Sequence, residues 1–219
     1  DLTARTKTFG IRHSFVAGAA FTNERNLRIN RTAPVSPTTL LNPNPDDIYP
    51  GVITTSPFQG DIMGNTQSLW LFDTAKFGEH WEATGGVRWD RFDVDGVNTT
   101  PAPVQQLVNM PSLRAGLIYK PAQNGSIYAS YGTSMSPSLE GLSYGTANTS
   151  IPPEKTYTAE TGAKWEVANN RLLLSGALFR VAKDNARTPG LSPTDPPQVL
   201  AGRQVSRGVQ AAHDQAGSG

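Results

Sequence analysis

The chain has 219 residues, a net charge of +1, no cysteine, and apolar side chains at 37% of positions. A near-neutral balance without a long basic run argues against a nucleic-acid partner. The lack of cysteine removes disulfide frameworks, thiol nucleophiles and cysteine-based zinc sites. Mean hydropathy is −0.38, and no window approaches the roughly 18 continuous apolar residues of a membrane helix. A barrel strand needs only about 10 residues, with alternate ones facing lipid, so low hydropathy leaves a membrane β-barrel open.

Residues 1–5 and 11–23 read as the first strand pair, joined by Lys7-Thr8-Phe9-Gly10, with Gly10 supplying the backbone freedom of a tight turn. In the second strand His13, Phe15, Ala17 and Ala19 share one face, and Arg12, Ser14, Val16 and Gly18 the other. Residues 24–60 hold six prolines, from Pro34 to Pro57. Proline removes ladder donors, so this stretch is expected to be a loop. Residues 61–74 and 81–94 form the next pair, where Trp81, Ala83, Gly85, Val87 and Trp89 alternate with Glu82, Thr84, Gly86, Arg88 and Asp90.

A second loop is expected over 95–109, followed by strands at 110–120 and 126–133. There Leu113, Ala115, Leu117 and Tyr119 oppose Ser112, Arg114, Gly116 and Lys120, and Ile127, Ala129 and Tyr131 oppose Tyr128, Ser130 and Gly132. After a third loop at 135–153 come strands at 154–166 and 171–183. Tyr157, Ala159, Thr161, Ala163 and Trp165 share a face of the former. The latter is apolar on both sides up to Arg180, so alternation does not assign its faces. A fourth loop at 184–198 leads to a strand at 199–209, and residues 210–219 break the pattern and are expected to be a disordered tail.

The short connections (6–10, 76–80, 121–125, 167–170) strictly alternate with the long ones (24–60, 95–109, 135–153, 184–198). An up-and-down antiparallel sheet puts every second connection at the same end, and one trimmed end opposite one overgrown end is the mark of outer-membrane barrels. Trp81, Trp89, Tyr119, Tyr131, Tyr157 and Trp165 fall toward the ends of apolar stripes, as the two aromatic girdles of a barrel require. A soluble sandwich also alternates. Loop asymmetry and aromatic placement favour an all-β, antiparallel up-and-down meander of about eight or nine strands, part of a transmembrane β-barrel in a bacterial outer membrane.

Particular stretches carry a family resemblance. SIYASYGTSMSPSLEGL (126–142), IPPEKTYTAETGAKWE (151–166) and NNRLLLSGALFRVAKDNART (169–188) resemble the barrel region of TonB-dependent siderophore receptors, nearest the catecholate receptors. WEATGGVRWDRFDVD (81–95) and GIRHSFVAGAAFTNERN (10–26) fit the same family, so the resemblance covers about residues 1–209. It implies a 22-stranded barrel around an N-terminal plug, importing ferric siderophores with energy delivered through a TonB box. The implied partners are a ferric catecholate siderophore, TonB through the plug, and outer-membrane lipid. No cofactor is implied. The plug, TonB box and signal peptide are not in the chain, whose opening Asp1-Leu-Thr-Ala-Arg5 reads as a strand already under way. The numbering is therefore expected to begin inside a larger protein. About nine strands are too few to close, and an open sheet leaves edges that lipid does not tolerate, so this portion alone is expected not to transport.

Chemistry-bearing motifs are sparse. Gly141-Leu-Ser143-Tyr-Gly145 matches G-x-S-x-G, but residues 146–153, with Pro152 and Pro153, cannot supply the helix a nucleophile elbow needs. No catalytic residue is expected. Asp93-Val-Asp95-Gly96 lacks the remaining ligands of a calcium loop and reads as a turn leaving a strand. His13, His80 and His213 are too far apart in sequence to suggest a metal site. The binding candidates follow from the implied anionic cargo, which lumenal and loop cations would attract. Arg88, Arg114 and Lys120 fall on the polar alternation. Arg31, Tyr49 and Tyr144 fall in expected loops, where stacking and cation–π contact with catechol rings is worth roughly 0.5–2 kcal/mol each. The plainer reading has Arg88 pairing with Asp90 and Lys120 merely ending a strand. The alternative function is a non-transporting β-barrel or β-sandwich serving as an adhesin or carbohydrate-binding module. A soluble hydrolase would need a helix after Gly145.

Overall fold

The computed structural model describes residues 1–33, 41, 51–100, 102–139, 151–168, 171–188, 198–199 and 204–215. Its elements are β1 (Leu2–Thr8), β2 (Ile11–Thr32), β3 (Thr54–Phe77), β4 (Trp81–Val97), β5 (Pro103–Ala122), β6 (Gly125–Ser136), β7 (Glu154–Val167), β8 (Leu172–Asp184), β9 (Arg187–Thr188), β10 (Gln198–Val199) and β11 (Gln204–Gln215). β1 to β8 and β11 make one nine-stranded sheet in chain order, every neighbouring pair antiparallel, and β9 and β10 make a small hairpin. There is no helix among the described residues. β1 and β11 are the edges of a sheet that does not close. The expected all-β meander is the fold the chain adopts.

At one end the connections are 9–10, 78–80, 123–124 and 168–171; at the other they are 33–53, 98–102, 137–153 and 185–203. Phe9 (φ 50°) and Gly10 (φ 84°) form a two-residue turn with both centres in the left-handed region, which matches the twist of the flanking strands. Three expectations need correction. The loop over 24–60 is shorter, because β2 runs to Thr32 and β3 starts at Thr54. Pro57 is tolerated there because it falls beside the register shift between Ile29 and Arg31, where the ladder is already irregular. The loop over 95–109 shrinks to 98–102, and Asn98 closes it: its Oδ1 accepts from Thr100 N (3.0 Å) and Ala102 N (3.1 Å). Pro111, inside β5, lies where β6 is not paired with β5, since that ladder begins at Arg114↔Gly132. Finally, the strand pattern does not stop at Val209; β11 continues to Gln215, each residue in register with β8.

The registers sort residues onto two faces. Phe77, Trp81, Tyr119, Ile127 and Ala163 lie in one row across β3 to β7, with Gly176 continuing it on β8. Alternate residues share this Trp81 face, which carries an exposed apolar band including Leu71, Val87 (59% exposed), Leu113, Leu117 and Leu178 (56% exposed). Register settles the strand that alternation left open: Leu174 pairs with Trp165 and Leu178 with Thr161, so both join the Trp81 face, and Arg180 with them. The opposite, Arg88 face is polar through its middle. Toward the long-connection end it holds a buried cluster of Ile62, Phe92, Val94, Val104 and Met110. Leu139, just past β6, folds into that cluster and is fully buried.

Candidate functional site, the cation-bearing face

Strand register, more than any single contact, positions the charges on the Arg88 face. Arg88 lies opposite Trp70 on one side and Ser112 on the other, and Arg114 lies opposite Gly86. The Arg88 guanidinium donates to Asp90 (Nε to Oδ2 2.8 Å, Nη2 to Oδ1 2.7 Å) and to Ser68 Oγ (3.1 Å), while Ser68 Oγ donates to Asp90. It also sits 5.3 Å from the centroid of the Trp70 ring. Arg88 is thus neutralised locally, as the plainer reading held. Arg114 differs. Its guanidinium lies 6.0 Å from the Phe72 ring centroid, and it has no ion-pair partner among the described residues. The approach needs Gly86, where a Cβ would overlap that ring.

Below this platform, toward the short turns, Lys120 Nζ is 3.5 Å and Lys76 Nζ 3.3 Å from the same Glu82 carboxylate. One carboxylate serves two ammoniums. Lys7, Arg12, Lys76 and Glu82 lie in one row across β1 to β4. With Arg5 they line a recess of about 760 Å³ in which Glu82 is the only acid among the described residues. Across the sheet, Tyr128 Oη donates to Glu160 Oε1 (2.6 Å) and carries Lys164 5.7 Å from its ring centroid. A wall with more cations than carboxylates and several aromatic rings attracts anions and can hold planar ones by stacking.

The structure brings Arg88, Arg114 and Lys120 onto one face, but not Arg31. Instead of standing in a loop, Arg31 lies within β2, paired with Thr55. Tyr49, Tyr144 and the Gly141–Gly145 motif lie outside the described residues. Sequence reasoning missed Arg5, Lys7, Lys76 and Lys164 as part of the wall. The signal was available, since Arg12 was already on the polar alternation and the tight turn fixes its register with Lys7. His13 Nδ1 is 2.7 Å from Asp73 Oδ2 with its ring stacked on Phe15, and His80 Nδ1 donates to the Lys120 carbonyl (2.7 Å).

The aromatic set occupies the Trp81 face throughout. Trp81 and Tyr119 meet with ring centroids 4.5 Å apart near the short turns, and Trp165 lies over Gly125 at the same end of its strand. Trp89, opposite Pro111, and Tyr131 with Tyr157 stand farther along their strands. Beyond the apolar band, on the projecting parts of β2 and β3, Arg25 pairs with Asp61 (Nε to Oδ1 2.9 Å, Nη2 to Oδ2 2.6 Å). Those hydrogen bonds hold the Asp61 carboxyl below the usual carboxylate range.

A family profile described as TonB dependent receptor-like, β-barrel, matches residues 1–216. The chain is 32% identical over 216 residues to the probable TonB-dependent receptor BfrD of Bordetella pertussis, covering 84% of this chain and 29% of that protein. It is 29% identical over 220 residues to the catecholate siderophore receptor Fiu of Escherichia coli K12, covering 84% of this chain and 28% of the relative. The chain therefore spans under a third of the curated relatives it matches. Among solved structures, the ferric-catecholate import receptor Fiu superimposes with a TM-score of 0.72 at 24% identity, over 97% of this chain and 32% of that one. The Pseudomonas aeruginosa ferripyoverdine receptor does so with a TM-score of 0.71 at 21% identity, over 99% and 30%.

Proposed function

Because this chain belongs to the TonB-dependent receptor β-barrel family, a family of transport receptors and not of enzymes, we propose that it is part of the wall of a bacterial outer-membrane importer of ferric siderophores. The Trp81 face meets lipid, with Trp81, Tyr119 and Trp165 in one girdle and Trp89, Tyr131 and Tyr157 in the other. The Arg88 face meets water and cargo. One observation carries this reading: leucines and valines of the Trp81 face stand half exposed across the whole sheet, while Arg5, Lys7, Arg12, Lys76 and Glu82 gather with Arg88 and Arg114 on the other side. Only a solvent that is itself apolar makes the first face stable.

Within that wall Arg114 is the cation best placed to attract an anionic iron complex, with Arg88 held by Asp90 as its fixed neighbour and Lys120 and Lys76 below. A catecholate cargo is supported by the likeness to Fiu, whose name describes it as a catecholate siderophore receptor. Energy would come from TonB acting on a plug enclosed by the completed barrel. The test uses the complete receptor in iron-starved cells supplied with a radiolabelled ferric catecholate. Arg114→Glu changes the local charge by two, which for a tris-catecholate iron complex of charge −3 at about 10 Å through water and salt lowers the capture rate roughly fivefold. Uptake by Arg114→Glu equal to wild type across salt concentrations would remove this face from the cargo path.

A further inference from the structure

Register places two unpaired cations beside the apolar band of the Trp81 face. Arg180 of β8 lies opposite Ala159 of β7, and Ala159 lies opposite Tyr131 of β6, all on the Trp81 face. On its other side Arg180 lies directly opposite Arg207 of β11. Directly opposed side chains in an antiparallel pair start about 5 Å apart at Cβ, and like charges there repel. Neither arginine has an ion-pair or hydrogen-bond partner among the described residues. Both are exposed. Arg180 shares a recess of about 300 Å³ with Tyr131, Tyr157, Ala159 and Ala182.

The level of the pair along the barrel wall is also defined. Arg180 lies in one row with Tyr131, through Ala159, and Tyr131 belongs to the girdle farther from the short turns. The arginines therefore lie at the height of the upper aromatic girdle, and Leu178 and Leu174 continue the apolar band beneath them. Unpaired charge at the rim of a hydrocarbon layer is costly, and two cations side by side are more so.

We propose that Arg180 and Arg207 form a site for the phosphate of a lipid headgroup in the membrane leaflet at the long-connection end. This rests on the membrane placement in the reading above. An anion between two guanidiniums turns repulsion into two charge-assisted contacts, and the planar fork of arginine suits phosphate oxygens. Tyrosine at headgroup depth offers a ring to the acyl region and a hydroxyl to the polar one. A free phosphate would use the cations alone. A lipid also uses the floor, its chains running down over Leu178 and Leu174.

The test is native mass spectrometry of the complete receptor, released from detergent after incubation with lipid A, with phosphatidylcholine, or with inorganic phosphate. Wild type should retain lipid A in preference to both other probes. R180Q/R207Q should retain it about a hundredfold less, roughly tenfold per arginine. Removing charge from a lipid-facing strand favours insertion, so this variant folds. R180K/R207K keeps the charge, loses the fork, and should fall between. R12Q/K76Q makes the same charge change on the other face and should retain lipid as wild type does. Equal retention by R180Q/R207Q, equal retention of phosphatidylcholine by wild type, or capture of phosphate without lipid would each overturn the proposal. Ferric catecholate uptake by R180Q/R207Q should match wild type. If wild type holds lipid A through these arginines but imports no ferric siderophore, the transport reading fails and the lipid site stands.

Discussion

Replacing Leu139 with alanine tests how the long-connection end is anchored. Leu139 is fully buried although it lies beyond β6, with Ile62, Phe92, Val94, Val104 and Met110 around it. Losing a buried leucine costs about 2–5 kcal/mol, the upper end applying where neighbours cannot close the cavity. Here they cannot: Ile62↔Gly96 and Val94↔Gln106 belong to continuous ladders that fix the backbone beneath the site. The expected cost is therefore about 4 kcal/mol. It should appear as local opening, because 137–139 is otherwise held by Leu139 N donating to Gln106 Oε1 (3.2 Å) and Ser138 Oγ donating to the Ile151 carbonyl (2.6 Å). Hydrogen exchange of the complete receptor in nanodiscs reads it directly. The Leu139 amide should lose about a thousandfold in protection, while Val94 and Gln106 amides in the β4–β5 ladder keep theirs. A loss below tenfold at Leu139, or an equal loss throughout β4 and β5, would refute the claim that this leucine clamps the connection onto a preformed wall.

Two further substitutions probe the sheet itself. Gly96→Ala would place a Cβ against the Asp61 carbonyl oxygen of β3, a backbone atom that cannot swing aside, and should cost about 1–3 kcal/mol in denaturant unfolding followed by tryptophan fluorescence. Gly85→Ala meets nothing within 4 Å and should change stability by less than about 1 kcal/mol in the same assay; equal effects would contradict the close approach at Gly96. Glu82→Gln releases Lys76 and Lys120, both half exposed, so stability should shift by about 1 kcal/mol or less. A loss of several kcal/mol would make the trio a structural clasp instead of a source of free positive charge.

The strand centres and their faces were legible because a period of two survives substitution of almost any residue that keeps its polarity. Trp81 to Trp89, Leu113 to Tyr119 and Tyr157 to Trp165 fell where alternation put them. Strand ends were not, because proline was read without knowing its neighbours. Pro57 sits at a ladder irregularity, and Pro103 and Pro111 lie where β5 has lost β6, so a missing N–H breaks nothing. The tail was misread for a related reason: pairing with β8 carries β11 past the last alternating residue. On the cation-bearing face, Arg88, Arg114 and Lys120 were found by alternation. That Arg114 is the unneutralised one depends on Asp90 and Ser68 holding Arg88, which local pattern does not reveal. Arg180 was ambiguous in principle, since a strand apolar on both sides has no readable face until a neighbour supplies its register.

The packing distinguishes a barrel wall from half of a sandwich. A sandwich buries the apolar stripe of each sheet against a second layer about 10 Å away, leaving charges on the solvent side. Here the apolar stripe is the uncovered one, with Leu69, Leu71, Val87 and Leu178 each at least half exposed. The tight packing lies on the other face, where Leu139 and Ser138 fold inward over β3 to β5 at the long-connection end. Residues 137–139 fold onto the cation-bearing side and leave the leucine side bare. In water that arrangement would expose a broad apolar surface with nothing to cover it. In a membrane each side meets the solvent its residues suit.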